Sequence, residues 1–314
     1  VTGGAGFIGS HLVRFLLERG GRVRVLDNFS TGKQENLAEV KERIEILEGT
    51  LASPSDVEAA VDGVDYILHQ AAIPSVPRSV EFPLESHESN ATGSLRLLRC
   101  AAKAGVRRLV YASSSSVYGA NPSLPKVESM PTEPLSPYAV SKLSAEQYAI
   151  VFHHLYGLET VSLRYFNVFG PRQDPNSPYS GVVSRFIDAI VSGTPPTIHG
   201  DGEQTRDFTY VENVARANFA ATEKPAAAGR VYNIGCASRV SVNGLWRAMA
   251  DLSGSKLEPR YVPTRSGDVP HSLADIGRAR QELGYEPAVD LREGLRRTLA
   301  YYGIHRESAA DLRS

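Results

Sequence analysis

The sequence predicts an α/β protein built on a doubly wound parallel sheet, with a smaller mixed α/β region towards the C-terminus. Three observations carry this. Strand-sized runs rich in β-branched or aromatic residues alternate with helical patterns through the first half, a glycine-rich turn opens the first helix, and an acidic residue closes the strand that follows it.

Taken in order, the opening Val-Thr-Gly-Gly-Ala-Gly-Phe-Ile-Gly has no initiator Met, and Val1 is expected to end a first strand whose earlier residues lie upstream. A helical run from Ser10 to Arg19 stops at Gly20-Gly21. Strands are expected at Arg22–Leu26, Ile44–Leu47, Tyr66–His69, Arg108–Ala112 and Thr160–Arg164. Between them, Ser53 caps a helix with Pro54 in its first turn, Gly105 and Gly157 close two more, and Ser136-Pro137 opens the longest. The strand runs are nearly continuous in apolar character, which suits a sheet covered on both faces.

After about Gly170, prolines at 171, 175, 178, 195, 196, 263 and 270 break the chain into loops and short elements. The expected division is 1–170 and 171–314, with a return to the first domain around 207–235, and Ala309–Ser314 is expected to fray. At 314 residues no disulfide staple is needed. Lys plus Arg total 34 against 35 acidic residues, so no basic surface recommends a nucleic acid or an anionic membrane as partner. Apolar runs are far too short to span a bilayer. Cys100 and Cys236 lack any metal-ligand spacing, so no metal is expected, and two isolated thiols fit a reducing cytoplasm.

Gly3-Gly4-Ala5-Gly6-Phe7-Ile8-Gly9 satisfies both GxGxxG and GxxGxxG. Such glycines allow a tight turn and close approach of backbone to a pyrophosphate at a helix N-terminus, the Rossmann-type arrangement. Asp27, ending the next strand, can accept both hydroxyls of an adenosine ribose and would repel a 2′-phosphate, which selects NAD over NADP.

In Ser136-Pro137-Tyr138-Ala139-Val140-Ser141-Lys142, Tyr138 and Lys142 share one helix face. An ammonium beside a phenol is expected to lower its pKa, making Tyr138 a general base near neutral pH. The pair follows a hydroxyl-rich turn, Ser113-Ser114-Ser115-Ser116-Val117-Tyr118-Gly119, at the carboxyl end of a strand, where ligands of such sheets bind. One of these serines can pass a proton between substrate and Tyr138.

With Arg164-Tyr165-Phe166-Asn167-Val168-Phe169-Gly170-Pro171-Arg172, these motifs resemble the extended short-chain dehydrogenase/reductase superfamily, in particular its NAD-dependent nucleotide-sugar epimerases and dehydratases, and the likeness runs over about residues 1–300. The resemblance implies catalytic roles for Ser114, Tyr138 and Lys142. On the cofactor side it implies Gly3, Gly6, Phe7, Ile8, Gly9, Asp27, Asn28, Ser30, Gly32, Thr50, Leu51, Gln70, Ala71, Ala72, Asn90, Ser113 and Tyr165, together with Tyr138 and Lys142. Thr50 stands where relatives usually carry an Asp that bonds the adenine amine. For the nucleoside diphosphate it implies Asn167, Arg206, Arg265 and Asp268, with Ile198 and His199 along the pyrimidine. Ser114, Ser115, Ser116, Arg172, Val182 and Ser272 complete the substrate set.

The same resemblance orders the reactions. Dehydratases carry Thr-Asp-Glu before the VYG and decarboxylases a Glu at its third position, whereas Ser114-Ser115-Ser116 stands here. A 4-epimerase remains: Tyr138 takes a proton, hydride passes from C4 to NAD, and the 4-keto sugar turns and takes it back. Small Ser272, where relatives restricted to glucose and galactose carry Tyr, leaves both UDP-glucose/galactose and UDP-GlcNAc/GalNAc open. UDP-glucuronate 4-epimerase is the alternative, with Asp174 counting against a C6 carboxylate; net reduction is a weaker one. A homodimer is implied through helices near Pro83–Ala104 and Pro137–Tyr156, with Leu95, Leu98, Leu143 and Ile150 compatible with that face.

Overall fold

A computed structural model describes residues 1–174, 181–264 and 269–305. The first half runs α1 (Phe7–Leu17), β1 (Val23–Asp27), β2 (Ile44–Glu48), α2 (Pro54–Val61), β3 (Tyr66–His69), α3 (Val76–Glu81), α4 (Pro83–His87), α5 (Gly93–Ala104), β4 (Arg108–Ser114), α6 (Pro137–Tyr156) and β5 (Glu159–Tyr165). All five expected strands form, with ends moved by a residue or two. Then come β6 (Val168–Phe169), α7 (Val182–Ser192), β7 (Thr197–His199), β8 (Thr205–Arg206), β9 (Thr209–Tyr210), α8 (Val211–Glu223), β10 (Arg230–Ile234), β11 (Val240–Ser241), α9 (Val242–Ser253), β12 (Arg260–Val262) and α10 (Leu291–Tyr301).

One parallel sheet organises the first half. β10, β5, β4 and β3 are hydrogen-bonded in that order, and β1 pairs with β2. Thr2 joins the two sets by bridging Leu26 on one side and His69 on the other. That makes the Val1–Thr2 segment the central strand, so the glycine turn emerges from the middle of the sheet, where strand order reverses.

Helices cover both faces. α1 turns Leu12, Val13, Phe15 and Leu17 inward at helical spacing. In α6, Ser136 Oγ accepts from the Ala139 amide at 3.1 Å, Pro137 occupies the first turn, and Gly157 ends the helix at φ 70°. Val110, Val161, Leu163 and Tyr232 are fully buried between the layers. α8 packs on α1, β4 and β5, and its successor β10 adds the edge strand beside β5.

The remaining elements build a second core around Phe186, Ile198, Leu245, Trp246, Met249 and Leu295. Short ladders hold it: β7 with β12 in parallel, β8 with β11 antiparallel, and β6 with β9 in parallel. Among the described residues no helix is long and apolar enough to cross a membrane.

Candidate active site

The glycine turn is shaped by close approach. Gly3 has φ 67°, and a Cβ there would lie 2.7 Å from the Ala71 amide nitrogen. A Cβ on Gly9 would overlap the Gly3 carbonyl, so α1 can pack directly on the turn only with glycine there. Gly6 is the N-cap of α1 and no side chain caps it, which leaves first-turn N–H groups of Phe7 and Ile8 for an anion. The Asp27 carboxylate accepts from Ala5 N at 2.8 Å and Phe29 N at 2.9 Å. Two of its roughly four acceptor positions remain for ribose hydroxyls. Asn28 Oδ1 accepts from the backbone and hydroxyl of Ser30, and Gly32 lies against Ala5 and Asp27, so the loop after β1 folds onto the turn. These residues fit a dinucleotide.

The opposite wall comes from the chain after β3. Ala71 N bonds Thr2 Oγ1 at 3.3 Å, next to Ala72. The Asn90 amide is committed to the Ile73 backbone, accepting from its N–H at 2.7 Å and donating to its carbonyl at 3.2 Å, so Asn90 acts on this wall by holding it. Gln70, Tyr165 and Asn218 close a ring: Tyr165 donates to Gln70 Oε1 (3.3 Å), Asn218 donates to the Tyr165 hydroxyl (2.7 Å), and Gln70 donates to Asn218 Oδ1 (3.3 Å). Leu51 is buried in the core and its carbonyl accepts from Arg96, while Thr50 bonds Asp56 through its amide at 2.9 Å. Only the backbone of Leu51 can therefore face a ligand.

β4 delivers Ser113 and Ser114 at its carboxyl end. Ser113 turns inward, donating to Glu146 Oε2 at 2.6 Å, and Glu146 is clamped by Arg164 at 2.6 and 3.0 Å. Ser114 Oγ accepts from the amide and hydroxyl of Ser116 at 3.2 and 2.9 Å and stands near enough to the Tyr138 hydroxyl to lower that phenol's pKa. Ser115 is half-buried in the same turn. Lys142 is buried with its ammonium on the Ala112 carbonyl at 2.8 Å, 5.2 Å from the Tyr111 ring centre.

The structure corrects one electrostatic expectation. Burial raises the Tyr138 phenol above its ordinary value, partly offset by the neighbouring Ser114 hydroxyl, and pushes Lys142 down to about 7. Desolvation moves both groups towards their neutral forms.

On the substrate side, Arg206 donates to the carbonyls of Thr205 (2.9 Å) and Pro270 (3.1 Å), while Ser272 N bonds Thr205 O at 3.0 Å. Arg206 and Ser272 are thus held side by side. Asn167, at φ 27°, donates to the carbonyl of Asp207 at 3.2 Å. His199 is tied to the same segment through Gln204, which donates to its carbonyl at 2.7 Å. Val182 begins α7.

Ile198 is 1% exposed, with its side chain in the second core. Arg172, at φ 66°, holds its guanidinium beside His11, Glu39 and Tyr301. Arg265 and Asp268 lie outside the described residues.

Sequence reasoning missed Asn218, Ser79, Asp207 and Glu146. The first three meet their partners across long separations and carry no local signal. Glu146 had one, standing one helical turn beyond Lys142 on the face already marked by Tyr138.

Residues 1–235 match the NAD-dependent epimerase/dehydratase family. The chain is 40% identical over 311 residues to the UDP-glucose 4-epimerase of Mycolicibacterium smegmatis, covering 96% of this chain and 97% of the relative. It is 36% identical over 309 residues to the UDP-glucuronate 4-epimerase of Thermodesulfobacterium geofontis, covering 95% and 94%. The solved structure of a UDP-N-acetylglucosamine 4-epimerase from Methanobrevibacter ruminantium, in complex with UDP-N-acetylmuramic acid, superposes with a TM-score of 0.92 at 42% identity, covering 96% of each chain.

Proposed function

The chain belongs to the NAD-dependent epimerase/dehydratase family, and from that premise we propose that it is a UDP-sugar 4-epimerase working through a transient 4-keto sugar. The observation that carries this reading is the placing of Ser114 beside Tyr138 at the carboxyl end of β4, in a turn with hydroxyls where elimination or decarboxylation would call for a carboxyl group. NAD, when bound, supplies the acceptor and donor of hydride. Tyr138 takes the C4 hydroxyl proton, directly or through Ser114, and returns it to the inverted centre. Lys142, held on Ala112, stabilises the phenolate before it takes the proton and again after the proton has been returned to O4.

Residues 1–170 and 207–235 hold the cofactor in this reading, and the rest of 171–314 holds the sugar nucleotide. Asn167, Arg206, Arg265 and Asp268 grip the diphosphate while the hexose stays loosely held, which its turning between two faces requires. UDP-glucose/galactose or UDP-GlcNAc/GalNAc is the favoured pair, supported by the small Ser272 beside Arg206. UDP-glucuronate is the second reading. It is favoured by the ion pair of Asp174 with Lys33 at 3.2 Å, which draws the carboxylate counted against a C6 carboxyl towards the loop after β1.

Incubation with UDP-glucose, UDP-GlcNAc and UDP-glucuronate, read by NMR, tests the proposal. A C4 epimer of one or more, with no net change in NADH absorbance, is expected; no epimer from any of them, or stoichiometric NADH change, refutes it.

A homodimer is proposed with it, through α5 and α6. Leu98 is buried in its own core, and the outward stripe of α6 is instead Val140, Tyr148, Val151 and Leu155, beside a groove of about 740 Å³. Leu155→Glu should then halve the sedimenting mass. The same reading puts the chain in the cytoplasm, where Cys100 and Cys236 stay reduced.

A further inference from the structure

The first turn of α6 carries Tyr138, and helix geometry leaves its leading N–H groups without partners inside the helix. Ser136 Oγ takes the Ala139 amide and Ser136 O takes that of Val140. The Tyr138 amide is satisfied from elsewhere: Ser79 Oγ, on α3, accepts it at 3.0 Å. Ser79 is fully buried and donates its own proton to Val76 O at 2.7 Å, which turns an oxygen lone pair towards Tyr138.

α3 is itself anchored. Ser75 caps it by accepting from Arg78 N at 3.0 Å, and the chain before it is pinned where Asn90 bonds both backbone groups of Ile73. That chain leaves β3 carrying Gln70 and Ala71, the wall facing the glycine turn. The other end of the Tyr138 residue is gripped as well: Ser141 Oγ donates to its carbonyl at 2.8 Å and accepts from Asn90 at 3.2 Å.

From this geometry we infer that Ser79 is a positioning residue for Tyr138, fixing the first turn of α6 so that the phenol meets Ser114 and the C4 hydroxyl. The inference rests on the reading of Tyr138 as the acid–base group. Ser79 touches Tyr138 only through the backbone, so its effect is on placement. Because burial raises the phenol pKa and the neighbouring Ser114 hydroxyl lowers it, a first turn loosened enough to change either also displaces the alkaline-going limb of turnover.

The test uses the NAD-loaded enzyme and whichever UDP-sugar it epimerises. Ser79→Ala should lower kcat roughly tenfold, with KM within about a factor of two and the kcat–pH limb displaced. Ser79→Cys, near in volume and a weaker acceptor, should show the same changes in smaller measure, and it serves where the alanine variant does not fold. Unaltered kcat and limb in a folded Ser79 variant overturn the inference. So does a loss carried by KM with the limb unmoved, which marks a merely structural residue. Tyr138→Phe is run alongside: if it keeps wild-type turnover, the acid–base reading fails; if it is inactive while the Ser79 variants match wild type, only the positioning inference fails.

Discussion

Lys142 points its ammonium nitrogen at the carbonyl oxygen of Ala112, 2.8 Å away, from a fully desolvated position one helical turn beyond Tyr138. That bond fixes where a positive charge can stand relative to the phenol. The cost of placing it there shows in the lysine itself, which burial pushes down to about 7.

Replacing Lys142 with Met should therefore slow turnover most at and below about pH 7, where the ammonium is still charged and can hold the phenolate. At neutral pH turnover should fall roughly a hundredfold, the scale set by losing acid–base competence. Stability carries a second signature. The unfolded chain holds this proton up to its ordinary 10.5 and the folded chain only to about 7, so the group makes wild type gain stability as pH rises between those values. Met should remove that slope. A kcat–pH profile and denaturation midpoints across neutral to alkaline pH check both, and an unmoved profile contradicts the role given to Lys142.

Asp27 is expected to set cofactor choice. Asp27→Asn keeps the shape and a carbonyl acceptor but removes the charge that opposes a 2′-phosphate. NAD should bind about tenfold more weakly, with NADP losing nothing or gaining, so the ratio of the two dissociation constants narrows. Fluorescence titration of NADH and NADPH measures it; an unchanged ratio sinks the assignment.

Beneath the site, Arg164 and Glu146 are 4% and 0% exposed and joined at 2.6 Å. Glu146→Met strands the guanidinium and also removes the acceptor of Ser113, a loss of about 3–5 kcal/mol. Replacing both with Met should recover most of that, because the desolvation penalty disappears along with the attraction. Urea denaturation of Glu146→Met, Arg164→Met and the double Met variant gives the coupling; additive losses would contradict it.

What the sequence revealed and what it hid follow from range. The glycine turn, Asp27, the five strands and the Tyr138–Lys142 spacing are written in neighbouring residues, where period and punctuation apply. Ser79, Asn218 and Asp207 act across the fold, and nothing beside them marks their partners. Leu98 illustrates a subtler limit. A residue can lie on the expected helix or strand while its side chain turns to its own core, because exposure is decided by what the element packs on. The Tyr138 pKa fails for the same reason: spacing places a cation nearby, but burial is a property of the folded molecule.

His69 supplies an acid-side test. It is buried between Thr2 Oγ1 at 2.7 Å and Ser94 Oγ at 2.8 Å, and burial pushes it down to about 3, with the positive charge of Lys142 adding to the effect. Unfolded, it takes up a proton near 6.5. Between those values the unfolded chain binds the extra proton, so stability must fall as pH falls through that window. His11, pushed down to about 4 chiefly by burial, acts in the same direction. Carboxylates lowered by arginines, such as Glu39, add their own loss in acid, so the wild-type curve alone does not isolate the histidine. Comparison with His69→Gln does. The variant gives up a fitted bridge and should be less stable at neutral pH, yet its stability should decline less steeply from about pH 6.5 to about pH 4. Parallel curves would mean that His69 is not held neutral by the fold, and the link it makes between the central strand and α5 would need a different electrostatic account.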